Sequence, residues 1–131
     1  MVRIVVEGEP FWLMSASRRR WVSIFQNLIG NGIVYNQTTA PLITFTFEDF
    51  TIRISDNGIG IPSDRWEWVF DIFSRIGAEE DGSGVGLYTV RKFVRFEGGQ
   101  IEIEKSEMGV GTTFLITIPG WRIFAPPLPL S

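Results

Sequence analysis

At 131 residues and a formal net charge of −3, the chain is long enough for one domain around one core and gives no support for a nucleic-acid surface. It has no cysteine and no histidine, which excludes disulfides, thiolate metal sites and thiol nucleophiles and removes the commonest general base and metal ligand. No apolar run reaches bilayer length and the N-terminus lacks a basic-then-apolar signal, so a soluble cytoplasmic domain with no membrane contact of its own is expected.

Val2 to Glu7 alternates with an apolar bias and predicts a first strand. Gly8-Glu9-Pro10 breaks it, and Phe11 to Met14 is a short apolar run that fits a second. Ser15 and Ser17 are both candidate N-caps for a helix starting near Arg18. Arg18 to Tyr35 predicts that helix, because Trp21, Ile24, Phe25, Leu28, Ile29 and Gly32 recur at helical spacing as a core face. Ser23, Asn27 and Asn31 lie four apart and form a polar stripe on another face. Gly30 and Gly32 each cost the helix roughly 1 kcal/mol against alanine. Amide oxygens can ligate a hard cation, and glycine admits a close ligand or strand. The plain alternative is a frayed helix end with its asparagines in water.

Asn36 to Pro41 is a loop, and Leu42 to Phe47 with Phe50 to Ser55 predicts a hairpin around Glu48-Asp49. Its second strand delivers Asp56 into Asp56-Asn57-Gly58-Ile59-Gly60-Ile61-Pro62. A carboxylate at a strand end is costly to bury without a partner, and glycines allow positive φ and close approach. A ligand bearing an amino group would answer both features; a tight turn is the competing reading. Ser63-Asp64 fits the start of a short helix carrying Trp66, Trp68, Val69, Phe70, Ile72 and Phe73, and the polar, acidic stretch Gly77 to Gly82 suggests mobility.

Gly82-Ser83-Gly84-Val85-Gly86-Leu87 opens a helix to about Phe96 with Leu87, Val90, Phe93 and Val94 as its apolar face. Glycines before a helix N-terminus make either a phosphate site or an ordinary turn. No Gly-Lys-Ser/Thr comes after them, so a Walker loop is excluded, and the spacing fails the dinucleotide fingerprint. Gly98-Gly99 ends the helix. Gln100 to Lys105 predicts a strand, Met108 to Gly111 a turn, and Thr112 to Ile118 a last strand before Pro119. Residues 120–131 form a proline-rich tail.

Four segments stand in a fixed order: Asn27-x-x-x-Asn31, Asp56-x-Gly58-x-Gly60, Gly82-x-Gly84-x-Gly86-Leu87 and Gly109-x-Gly111-Thr112-Thr113-Phe114. From Val2 to Pro119 this pattern resembles the ATP-binding catalytic domain of two-component sensor histidine kinases, whose superfamily includes DNA gyrase, MutL and the heat-shock-protein-90 chaperones. "NLIGNGIVYN" resembles the family's asparagine box, "DNGIGIP" its first glycine box, "VFDIFSRI" its phenylalanine box, and "GSGVGLYTVRKFVRFEGG" its second glycine box.

The resemblance implies a two-layer α/β sandwich with a mixed sheet, about three helices on one face and a mobile ATP lid at about 62–84, the domain covering 1–119. It implies ATP and Mg²⁺ as cofactors. The nucleotide would be held by Asn27, Asn31, Tyr35, Asp56, Gly58, Gly60, Ile61, Gly82, Ser83, Gly84, Val85, Gly86, Leu87 and Thr113. Asp56 would accept the adenine amino group, and Gly58 and Gly60 would let the loop approach base and ribose. Asn31 would ligate Mg²⁺ and Asn27 would face the phosphates. Arg75 would act as a lid cation toward the γ-phosphate, with a plain surface arginine as the alternative. The lid aromatics would pack on the domain's own core or on a phosphoacceptor helix.

The chain departs from this pattern in places. Val34 stands where many such kinases carry a cation, unless Arg75, Arg91 or Lys92 substitutes. Gly32 and Glu97 replace a frequent alanine and histidine. Ser23 stands where ATP-hydrolysing relatives place a glutamate base, so hydrolysis by the chain is expected to be negligible. With no histidine to modify, the phosphoacceptor must lie on a separate dimerisation domain, with a response regulator downstream. Two other readings remain: a serine-directed kinase and binding switch of the anti-sigma-factor type, and a degenerate nucleotide-binding interaction module.

Overall fold

Strand β1 (Arg3–Glu7) leads to helix α1 (Arg18–Val34), the hairpin strands β2 (Leu42–Glu48) and β3 (Thr51–Asp56), and 3₁₀ turns at Ser63–Arg65 and Trp68–Phe70. Helix α2 (Gly86–Phe96) and strands β4 (Gln100–Glu107) and β5 (Gly111–Thr117) complete the chain order. This computed structural model describes residues 2–9, 17–71 and 86–119. The strands form one five-stranded sheet in the order β1-β2-β3-β5-β4. Only β1–β2 is parallel, so the sheet is mixed as expected.

Cross-strand partners share a face of the sheet. The rows Phe45–Ile54–Phe114–Ile103 and Phe47–Ile52–Ile116–Ile101 run across it. They meet Trp21, Ile24 and Leu28 of α1 and Val90 and Val94 of α2 in a single core. Helix α1 begins where Ser17 accepts the Arg20 N–H at 3.4 Å, and its predicted apolar stripe is the buried one. Trp21, Phe25, Phe45 and Phe47 form a chain of ring contacts between α1 and β2, with centroids 5.2–6.4 Å apart. The other face of the sheet is polar, and there Arg53 makes a bidentate pair with Glu104, Nε and Nη2 each 2.9 Å from a carboxylate oxygen.

Two features were not anticipated. Arg20, near the start of α1, makes a 2.6 Å ion pair with Glu97, just past α2, and both side chains are buried. The guanidinium also lies 4.2 Å from the Phe96 ring centre. The pair joins the start of α1 to the end of α2, so the two helices run antiparallel. The second feature concerns the expected helix beyond Ser63, which is two separate 3₁₀ turns over 63–70. The Trp66 indole N–H donates to the Ile61 carbonyl at 2.9 Å, and Phe70 is buried edge-on against Phe114. Asp71 returns to extended backbone. Residues 62–71, the first part of the expected lid, are therefore held on the core. Phe11–Met14, Ser15, Ile72, Phe73, Arg75, Gly82, Ser83, Gly84, Val85 and the tail 120–131 lie outside the described residues.

Candidate functional site

Strand β3 ends on Asp56, which stands opposite Ile43 and Thr112 and so continues the helix-facing row beyond the apolar core. Gly32 of α1 packs directly on it: a methyl group built at Gly32 would lie 3.3 Å from Asp56 Cβ and 3.2 Å from Ile43. That glycine brings helix and sheet together, whereas Gly30 has open space beside it. Burial pushes the Asp56 carboxyl above its ordinary pKa, and N–H groups of Gly58 and Thr112 partly oppose the rise. Both donate to the same oxygen, Oδ1, at 2.9 and 3.3 Å. Among the described residues Oδ2 has no hydrogen-bonding partner. A half-buried carboxylate with one oxygen engaged and one available can accept a hydrogen bond from a ligand donor.

The loop after Asp56 is pinned by protein. The Ile59 N–H donates to the Tyr35 carbonyl at 2.9 Å, the Gly109 N–H to the Ile59 carbonyl at 2.9 Å, and the Ile61 N–H to Ser106 Oγ at 2.7 Å. Gly58 and Gly60 also serve this internal packing. A side chain at Gly58 would sit 2.6 Å from the Tyr35 carbonyl oxygen, and one at Gly60 would sit 2.5 Å from that of Glu107. Their missing side chains admit the protein's own backbone, and of the two only Gly60 has a positive φ, +86°. Asn57 points back to the loop before β2, with Oδ1 accepting Asn36 Nδ2 at 2.7 Å and the Leu42 N–H at 2.9 Å.

Asn27 and Asn31 share the predicted face of α1. Asn27 turns its Nδ2 back to the Ser23 carbonyl at 2.8 Å. Its Oδ1 faces the start of α2, where a methyl group built at Gly86 would come within 3.2 Å. The first turn of α2, including Leu87, carries N–H groups with no partner inside the helix and the positive end of its dipole. Asn31 lies one turn further along α1, and its side-chain amide has no hydrogen-bonding partner among the described residues. Val34 closes α1 and is exposed. Arg91, one expected substitute for the missing cation, is drawn instead to Asp71 and Glu67, at 3.7 and 3.9 Å, and lies over the Phe70 ring.

Thr113 requires a correction. It pairs with Ser55, hydroxyl to hydroxyl at 2.8 Å, on the face away from the helices. Thr112 is the residue beside Asp56, and its hydroxyl meets Ser106 Oγ at 2.7 Å. Parity along the strand would have found it, because Thr112 is in phase with Phe114 and Ile116. Ser106 was missed because a bulge between Ile103 and Lys105 shifts the phase of β4. Among the described residues no group of three or more His, Cys, Asp or Glu is placed to hold a metal, and no helix is long and apolar enough to cross a membrane.

Comparison with known proteins agrees with this geometry. Residues 16–122 match the family described as histidine kinase-, DNA gyrase B- and HSP90-like ATPases. The methanogenesis regulatory histidine kinase FilI of Methanothrix harundinacea is 38% identical over 88% of this chain and 13% of that protein. Sensor histidine kinase YclK of Bacillus subtilis is 31% identical over 89% of this chain and 26% of its own length. The nucleotide-free catalytic domain of the histidine kinase ThkA superposes with a TM-score of 0.66 at 27% identity, covering 90% of this chain and 78% of that one. The chain thus spans about an eighth to a quarter of these curated relatives, and corresponds to their catalytic part. It belongs to the histidine kinase-, DNA gyrase B- and HSP90-like ATPase family, as a homologue of sensor histidine kinase catalytic domains.

Proposed function

We propose that this domain binds ATP with Mg²⁺ in the crevice between α1, the start of α2 and the Asp56 loop, and transfers the γ-phosphate to a histidine on a separate dimerisation domain. The observation that carries the reading is the available oxygen of Asp56 beside Gly32 of α1, with the Asn27 amide facing the start of α2 and the Asn31 amide on the same helix between them. Gly32, beneath Asp56, and Asn27, beside Gly86, are five residues apart on α1, about 7.5 Å along its axis. That spacing suits a nucleoside with its base on Asp56 and its phosphates at the start of α2.

Asp56 Oδ2 would accept the adenine amino group. A base carrying a carbonyl there would set two acceptors face to face and bind less well. The unpartnered amide of Asn31 fits a hard cation brought in with the phosphates; the ion would neutralise phosphate charge, with water and phosphate oxygens as its other ligands. Asn27 and the N–H groups of Gly86 and Leu87 would hold the phosphate chain, with Gly82, Ser83, Gly84, Val85 and Arg75 completing it. Tyr35 and Ile61 contribute by shaping the loop. The parent kinase would work in the cytoplasm, where ATP is available, and would pass its phosphoryl group to a response regulator.

Mixing the domain with a histidine-bearing dimerisation domain and labelled ATP tests the reading. Acid-labile label on the second domain is expected. Acid-stable label would indicate a serine acceptor and overturn it.

A further inference from the structure

We propose that Ser106 is a positioning residue for base selection, holding the Asp56 carboxylate and its loop in the geometry that reads the purine amino group. The inference rests on the proposed role of Asp56 as acceptor of that group.

The placement of Ser106 begins in the sequence. Ile101 and Ile103 alternate into the core, and continued alternation would turn Lys105 inward. The bulge prevents this: Ile103 pairs with Phe114 and Lys105 with Thr113, so Glu104 is the extra residue. Glu104 and Lys105 both stay on the polar face, where Arg53 grips the Glu104 carboxylate through two nitrogens. Ser106 then pairs with Thr112 and faces the same side as Asp56.

Its hydroxyl is the hub of a short network. It accepts the Ile61 N–H at 2.7 Å, shares a hydrogen bond with Thr112 Oγ1 at 2.7 Å, and lies 3.3 Å from the Gly111 carbonyl oxygen. One hydrogen and two lone pairs can serve these partners and leave little over. Both arms end on the Asp56 loop. Ile61 closes the loop, and the Thr112 N–H is one of the two donors to Asp56 Oδ1. A shift of Thr112 or Ile61 would rotate the carboxylate and misdirect the oxygen offered to the ligand. Ser106 thus acts through Asp56, with no contact to the nucleotide required of it.

The test compares the full chain with Ser106→Ala and Ser106→Thr, titrating each with Mg-ATP and Mg-ITP and recording its melting temperature. ITP carries a carbonyl where adenine carries its amino group. The wild type should prefer ATP. Ser106→Ala should lose about tenfold in ATP affinity with ITP affinity nearly unchanged, so discrimination shrinks. Ser106→Thr, which keeps the hydroxyl, should restore it. A lower melting temperature with an intact ATP:ITP ratio would reduce Ser106 to a hairpin stabiliser and overturn the inference alone. A wild type that does not distinguish the two nucleotides would overturn the reading of Asp56 and this inference with it.

Discussion

Asp56 is a carboxylate kept in a place that disfavours its charge. Its pKa is raised by burial, so the folded state holds a proton more readily than the unfolded chain does. Stability therefore falls as pH rises from the ordinary carboxylate range through the raised value, and the penalty is complete above it. Asp56→Asn should accordingly melt no lower than wild type at neutral pH, with any advantage vanishing as the pH drops through that range. The same substitution should weaken ATP binding by about 10- to 100-fold, the worth of a hydrogen bond to a charged group. A variant that melts well below wild type while binding ATP normally would contradict both statements. At this scale much of the site was legible: a carboxylate ending an alternating strand and amides four apart on a helix both stand where their spacing put them. Thr113 and Thr112 were exchanged because motif matching ignores strand parity. Glu97 went unread because its partner, Arg20, is remote in sequence and adjacent only once α1 and α2 pack antiparallel.

Glycines at the level of elements separate structure from tolerance. Gly30 has open space and helical backbone, so Gly30→Ala should stabilise the domain by about 0.5–1 kcal/mol. Gly60 combines a φ of +86° with the Glu107 carbonyl oxygen 2.5 Å from any added Cβ. Gly60→Ala should cost more than about 1 kcal/mol and loosen the loop after Asp56. Denaturant titration of the two variants checks the opposite signs. The Arg20–Glu97 pair tests how the helices are held: Glu97→Ala leaves a buried guanidinium without its carboxylate and should cost about 3–5 kcal/mol, whereas replacing both residues with apolar ones should cost far less. Equal losses in the single and double variants would argue against the pair as the source. Helix α1 and the β2–β3 hairpin were legible because their apolar periods are unbroken. The 3₁₀ turns and the bulge were not, because neither leaves a mark in the spacing: Trp66 and Phe70 stand four apart as they would in a regular helix, and Glu104 is one polar residue in an alternating strand.

On the proposed reading the molecule as a whole carries the nucleotide-handling half of a phosphoryl transfer. It lacks histidine, so it should not label itself, and Ser23, hydrogen-bonded to Asn27 through its carbonyl, cannot act as a general base for water at neutral pH. Incubated with Mg-ATP, the domain should release negligible phosphate; steady turnover would place a water-activating base where none has been identified. The most direct measurement is calorimetric titration of the intact 131-residue chain with Mg-ATP. Saturable one-to-one binding is predicted, sharply weakened by Asp56→Asn and by Asn31→Ala and weaker for Mg-ITP. No saturable heat, or binding indifferent to Asp56, would contradict the account.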